Sequence, residues 1–237
     1  LTSDDTTEGT IAVSNVVFTT ANWNTPQTVT VTGKDDALAD GNISYNIVTA
    51  AATSTDGTYD TMNANDVAVI NTDDDTAGIT VSTISANTTE AGGTATFTVV
   101  LNTQPTANVT IGLTSDDTTE GTIAVSNVVF TAANWSTPQT ITVTGANDAL
   151  ADGNINYNIV TAAATSTDGN YNTMNANDVA VINTDDDAAG ITVSAISANT
   201  TEAGGTATFT VVLNTQPTAD VTIGLTSDDT TEGTIAV

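Results

Sequence analysis

The thirteen residues from Leu1 to Val13 recur without change at 113–125 and again at 225–237, so the chain is a repeat with a spacing of 112. Each copy carries the same local instructions and has to be read as one folding unit. Residues 1–77 differ from 113–189 at nine positions, and residues 78–125 differ from 190–237 at two, Thr83 against Ala195 and Asn108 against Asp220. Copies this similar fit recent duplication in an array whose length matters more than the individuality of its members. The 237 residues are not a whole number of 112-residue units, and the expectation is a window from a longer array.

Within one unit the dominant pattern has a period of two. In 94–101, Ala95, Phe97, Val99 and Leu101 alternate with Thr94, Thr96 and Thr98, the pattern of a half-buried strand. Val109, Ile111 and Leu113 alternate in the same way, as do Ile141 and Val143 among Thr140, Thr142 and Thr144, and Ile155, Tyr157 and Ile159 among Asn154, Asn156 and Asn158. Further strands are expected over 78–82, over 122–131 with a break near Ser126, and over 178–183. Seven strands in about 110 residues, separated by Gly, Pro, Asn and Asp clusters, predict an all-β chain of tandem immunoglobulin-like antiparallel β-sandwiches. The boundaries fall after the Asp-Asp-Asp runs, at 76–78 and 188–190. Residues 78–187 are then one complete repeat, 1–75 the C-terminal part of the one before, and 190–237 the N-terminal part of the next.

Twenty-eight carboxylates face a single cation, Lys34, for a formal charge of −27, and the chain has no His, Cys or Arg. That composition excludes Ser/His/Asp and Cys/His catalysis, thiolate or imidazole zinc sites, disulfides and a basic surface for nucleic acid. No apolar run is long enough to span a bilayer, so no membrane insertion is expected in this segment. Self-repulsion of this size opposes a compact state unless cations screen it, and hard divalent ions with oxygen ligands are the natural counter-charge. Charged residues are only 12% of the chain, so the acids are placed and not spread over the surface.

Strand parity says where they are placed. If strand 78–82 runs upward, one pole of the sandwich collects Glu90, Asp116, Asp117, Glu120, Asp148, Asp152, Asp185, Asp186 and Asp187. The other pole receives only Asp168 and Asp178, which are read as turn residues. Nine of the unit's eleven acids thus converge from four separate segments. Calcium, which takes six to eight oxygens from flexible loops, suits such a pole better than magnesium, which retains more of its water.

Five segments carry a family resemblance: Thr88-Thr-Glu-Ala-Gly-Gly93, Ser115-Asp-Asp-Thr-Thr-Glu-Gly121, Asn134-Trp-Ser-Thr-Pro-Gln139, Asn147-Asp-Ala-Leu-Ala-Asp-Gly153 and Asn183-Thr-Asp-Asp-Asp187. In this order they resemble the Calx-beta family, in the tandem form found in large bacterial surface proteins. The resemblance implies calcium at the loop end of each sandwich, next to the following domain. The implied ligands are Glu90, Asp116, Asp117, Glu120, Asp148, Asp152 and Asp185 to Asp187. Their counterparts in the flanking copies are Asp4, Asp5, Glu8, Asp36, Asp40, Asp73, Asp74 and Asp75, with Glu202 on the C-terminal side. Lys34-Asp35 of one copy is Ala146-Asn147 in the next, so that position is not an indispensable ligand.

The expected role is structural: a calcium-stiffened stalk repeat of a long extracellular bacterial adhesin or surface protein, whose partners are adjacent repeats of the same chain. The alternative is a self-assembling filament, sheath or surface layer in which neighbouring copies are also partners. An enzyme is not expected, because aromatics are 4% of residues and no aromatic-lined cleft is implied. Trp23 and Trp135 are read as packing plugs.

Overall fold

The computed structural model describes residues 1–236. Among them the chain is all-β, and no helix is long and apolar enough to cross a membrane. The N-terminal stretch holds β1 (Thr2–Ser3), β2 (Gly9–Ile11), β3 (Val31–Gly33), β4 (Ile43–Val48) and β5 (Val67–Asn71). The middle holds β6 (Ile79–Val81), β7 (Thr88–Thr89), β8 (Thr94–Leu101), β9 (Val109–Ser115), β10 (Gly121–Ile123), β11 (Asn127–Phe130), β12 (Gln139–Gly145), β13 (Ile155–Thr161) and β14 (Val179–Thr184). Two more strands follow, β15 (Ile191–Val193) and β16 (Val211–Leu213).

The alternation in β8 shows why these segments are strands. Ala95, Phe97, Val99 and Leu101 are buried, while Thr96 and Thr98 between them stay half-exposed on the opposite face. A side chain the size of Val, Leu or Phe gains about 1.5–3 kcal/mol on leaving water, and a two-residue period is the one that puts all of them on one side.

Two sheets share the resulting core. One is antiparallel, in the order β10-β12-β8-β6, with Thr140, Thr142 and Thr144 directly opposite Thr98, Thr96 and Thr94. The other runs β11-β9-β13-β14-β7, antiparallel except for the last pair, β14 and β7, which is parallel. Phe97, Val99, Ile141 and Val143 from the first meet Ile111, Phe130, Ile159 and Val181 from the second, with Trp135 and Met174 packed against the cluster. Two sheets enclosing one apolar layer is a sandwich-like arrangement.

Two details depart from the simple seven-strand pattern. The stretch 122–131 is two strands on different sheets: β10 pairs with β12 and β11 with β9. The sequence Ser126 lies between them, where the apolar alternation stops. The two-residue strand β7 has no alternating pattern to announce it.

The same pairings recur at the repeat spacing. Tyr45 lies opposite Val69 in β4 and β5 as Tyr157 lies opposite Val181 in β13 and β14. Burial recurs only in part: Tyr45 and Tyr157 are both 3% exposed, but Phe18 is 54% exposed where its counterpart Phe130 is 0% exposed, because residues 109–112 of β9, which pair with β11, have no counterpart within residues 1–77.

Candidate metal centre

Three chain segments are tied together at one end of the two sheets. The first follows β12, where Leu150 N donates to Asp148 Oδ1 at 2.7 Å and folds the loop back on itself. That loop closes at Gly153, whose φ of 84° is one that residues with a Cβ rarely adopt. Gly153 N then donates to Asp185 Oδ2 at 2.7 Å, joining the loop to the second segment, the Asp run after β14. Within that run Asp187 N donates to Asp185 Oδ1 at 2.7 Å, and Asp185 N to Asn154 Oδ1 at 3.1 Å. The third segment is β7. Its parallel pairing with β14 sets Thr88 beside Asn183 and Thr89 beside Thr184, and Glu90 N donates to Thr184 O at 3.1 Å. Glu90 is thereby delivered next to Asp185.

Two groups of carboxylates result, each with ligand oxygens within 4.8 Å of one another: Glu90, Asp185 and Asp187, and Glu120, Asp148 and Asp152. The preceding copy repeats the second group as Glu8, Asp36 and Asp40, and adds Asp35, Asp74 and Asp75. In both groups of the middle repeat the glutamate is the buried member, Glu90 at 2% exposure and Glu120 at 6%. Asn183, itself buried, joins the two. Its Nδ2 donates to Glu120 Oε2 at 3.3 Å and to Ala146 O at 3.0 Å, and its Oδ1 accepts from Thr88 Oγ1 at 3.0 Å.

Glu90 differs from Glu120 in one respect. Its Oε2 is buried and has no hydrogen-bond partner, the one such side-chain atom among the described residues. Removal from water, then the charges of Asp185 and Asp148, push its carboxyl up to about 7. Burial also raises Glu120, against the Asn183 hydrogen bond, with Asp152 adding to the rise. Asp187 is raised by loss of water and by Asp185 and Asp186, and Asp75 by loss of water and by Asp73 and Asp74.

The other acids at this end serve the chain locally. Asp116 accepts from Asn158 N at 2.7 Å and Nδ2 at 2.9 Å, which holds its carboxyl below the usual range, and Asp4 does the same with Asn46. Asp117 accepts from Thr119 Oγ1 at 2.6 Å and Thr119 N at 3.0 Å, a turn that Asp5 repeats with Thr7. Asp73 accepts from Gly41 N at 2.6 Å, as Asp185 does from Gly153. Asp186 and the exposed Glu202 belong to no group, while Asp35, whose counterpart is Asn147, does. Asn183 and Thr88 were not legible as parts of the site. Their only signal is position, Asn183 just before the Asp run and Thr88 two residues before Glu90.

At the far end, Asp168 is 5% exposed and accepts from Thr106 N at 2.8 Å and Asn170 N at 2.9 Å. Burial alone would raise it, but those hydrogen bonds outweigh the burial and hold it below the usual carboxylate range. Asp178 accepts from Thr161 N at 2.8 Å.

The donor sets contain oxygen only, which suits a hard divalent cation. Each group brings three carboxylate oxygens close enough together to share one ion. The unpartnered Glu90 Oε2 is an acceptor in need of a positive partner, and Lys34, the sole basic side chain, belongs to the other copy. The groups could therefore hold metal ions. No protein-family model and no curated protein matches the chain.

Proposed function

We propose that this chain is part of a structural stalk: tandem immunoglobulin-like β-sandwich repeats, similar to Calx-beta repeats, that give an extracellular bacterial surface protein or adhesin its length and are stiffened by calcium. One repeat spans 78–187, with 1–75 and 190–237 as parts of its neighbours. The observation that carries the reading is the buried, unpartnered carboxylate oxygen of Glu90, set against Asp185 and Asp187 in a chain of formal charge −27. A charge in that position is costly without a cation and favourable with one.

Calcium is favoured over magnesium because the acidic loops supply several carboxylates at one end, and magnesium gives up its water reluctantly. The groups Glu90/Asp185/Asp187 and Glu120/Asp148/Asp152 would hold the ions, with Asn183 tying Glu120 to Thr88, two residues before Glu90. The ion supplies charge compensation and cross-links loops; the chain supplies the oxygens and the rigid sheets that hold them. Binding free energy then becomes folding free energy, worth about 2.7 kcal/mol at a hundred times the dissociation constant. Low calcium inside the cell would leave the chain loosely folded for export, and external calcium would fold it. No catalytic role is part of this proposal.

Thermal melts of the full chain test the proposal. Millimolar calcium is expected to raise the Tm by many degrees and equal magnesium by far less. A Tm indifferent to EDTA at low salt would reject it.

A further inference from the structure

The loop that carries Asp36 and Asp40 also touches the next repeat. Ala37 O accepts from Gln104 N at 2.7 Å, and Ala39 O accepts from Asn170 Nδ2 at 2.6 Å. We propose that the surface made by residues 103–106 and 168–172 is a docking site for the Ala-Leu-Ala loop of a neighbouring repeat, and that Asn170 is the side chain that makes it selective.

The receiving surface is built to be rigid. Tyr171, 1% exposed, donates its hydroxyl to Thr103 O at 2.8 Å and accepts from Thr103 N at 3.1 Å. The buried Asp168 bridges the same two loops through Thr106 N and Asn170 N. Gln104 precedes Pro105, which biases it to an extended backbone and leaves its N–H directed outward. The arriving loop is equally fixed, by Leu38 N on Asp36 Oδ1 at 2.7 Å and by Gly41 N on Asp73 Oδ2. Two preorganised surfaces lose little freedom on meeting.

The chain contains its own comparison. At the next joint Gln216 N donates to Ala149 O at 2.7 Å, so the first hydrogen bond recurs. In the first joint Ala37 and Ala39 are half-buried, and Asn170 adds the second hydrogen bond to the one that recurs. The repeats also differ here: position 170 is Asn in one copy and Thr58 in the other. Five of the nine differences between 1–77 and 113–189 lie in the arriving loop, the receiving loop or the linker: Lys34/Ala146, Asp35/Asn147, Thr58/Asn170, Asp60/Asn172 and Thr76/Ala188. A repeat with Thr at this position offers no amide donor to the arriving carbonyl, so neighbouring joints of a nearly uniform array differ in strength.

Amide hydrogen exchange on the full chain, read by NMR at fixed calcium, tests this. Gln104 N–H is expected to exchange about tenfold faster in N170T than in the wild type, the size of one net hydrogen bond. T58N, at the equivalent position of the other copy, should leave the Gln104 rate unchanged. Thr already occupies the equivalent position in the first copy, so N170T is compatible with the loop. Because wild type and variant are compared at equal calcium, the result reports on docking whatever the cation does. An unchanged Gln104 rate in N170T would overturn the proposal.

Discussion

Glu90 concentrates the physical problem this chain has to solve. A carboxylate at 2% exposure with an unpartnered oxygen and Asp185 beside it favours its protonated form. Around neutral pH the metal-free folded chain therefore holds part of a proton at Glu90 that the unfolded chain releases, and Glu120 and Asp187 are shifted in the same direction. The contribution is complete below the ordinary carboxylate range and is lost as pH rises toward the value of about 7 for Glu90. Asp116, Asp117 and Asp168 act in the opposite sense, and what they contribute is lost only as pH falls below that range. EDTA-treated protein should therefore melt at a higher temperature at pH 5 than at pH 7.5, and calcium, which competes with those protons, should reverse the order. Glu90→Gln keeps the shape and removes the charge. It should raise the EDTA-treated Tm at pH 7.5 by several degrees, about 1 kcal/mol corresponding to roughly 4–8 °C in a domain of this size, and shrink the calcium-induced rise. A variant whose calcium response matches the wild type would remove Glu90 from the site.

At the level of elements, the parallel pair β7 and β14 positions Glu90, and Gly145 leaves room for it. A Cβ on Gly145 would lie 2.2 Å from Thr89 O and 2.6 Å from Asn183 Oδ1, so G145A must push β7 away from its neighbours. The expected loss is about 1–3 kcal/mol in urea unfolding, together with a weakened calcium response. Gly112 is the control: a Cβ there meets only Ala162 Cβ, at 3.3 Å, so G112A should cost less and leave the calcium response intact. Full calcium response in G145A would show that β7 does not have to stay in register. The strands with strict alternation, β8, β9, β12, β13 and β14, were legible because a two-residue period is a property of the local sequence. β7 was not, since two threonines held by a partner about 95 residues away leave no periodic trace. The site was legible in the same partial way. Polarity along the strands brings the acidic loops to one end, but it does not say which acids remain free. Asp117 and Asp5 each sit two residues before a Thr whose N–H and hydroxyl they accept, a local turn signature that was there to be read. The ties of Asp116 to Asn158 and of Glu120 to Asn183 cross 42 and 63 residues, beyond what local pattern conveys.

For the whole molecule, the loop that carries Asp36 and Asp40 meets the surface made by 103–106 and 168–172, and on the proposed boundaries a linker of about three residues, 76–78, joins the two repeats. With a formal charge of −27 and one basic side chain, repulsion within that joint has no internal remedy. Two external remedies are physically distinct. Salt screens all the charges alike, with a Debye length of about 3 Å at 1 M, whereas a coordinated ion bonds specific oxygens and removes the freedom of the linker that carries them. The Asp run at 185–187 is where the two diverge, because Asp185 and Asp187 share a group with Glu90 while their backbone leads directly into the next repeat. Small-angle scattering of the full chain should show the maximum dimension rising with millimolar calcium and not with 1 M sodium chloride. Replacing Asp185, Asp186 and Asp187 together by Asn should abolish the calcium-induced change while circular dichroism stays that of a folded β protein. An equal response to sodium chloride would mean that screening alone sets the shape, without help from a bound ion.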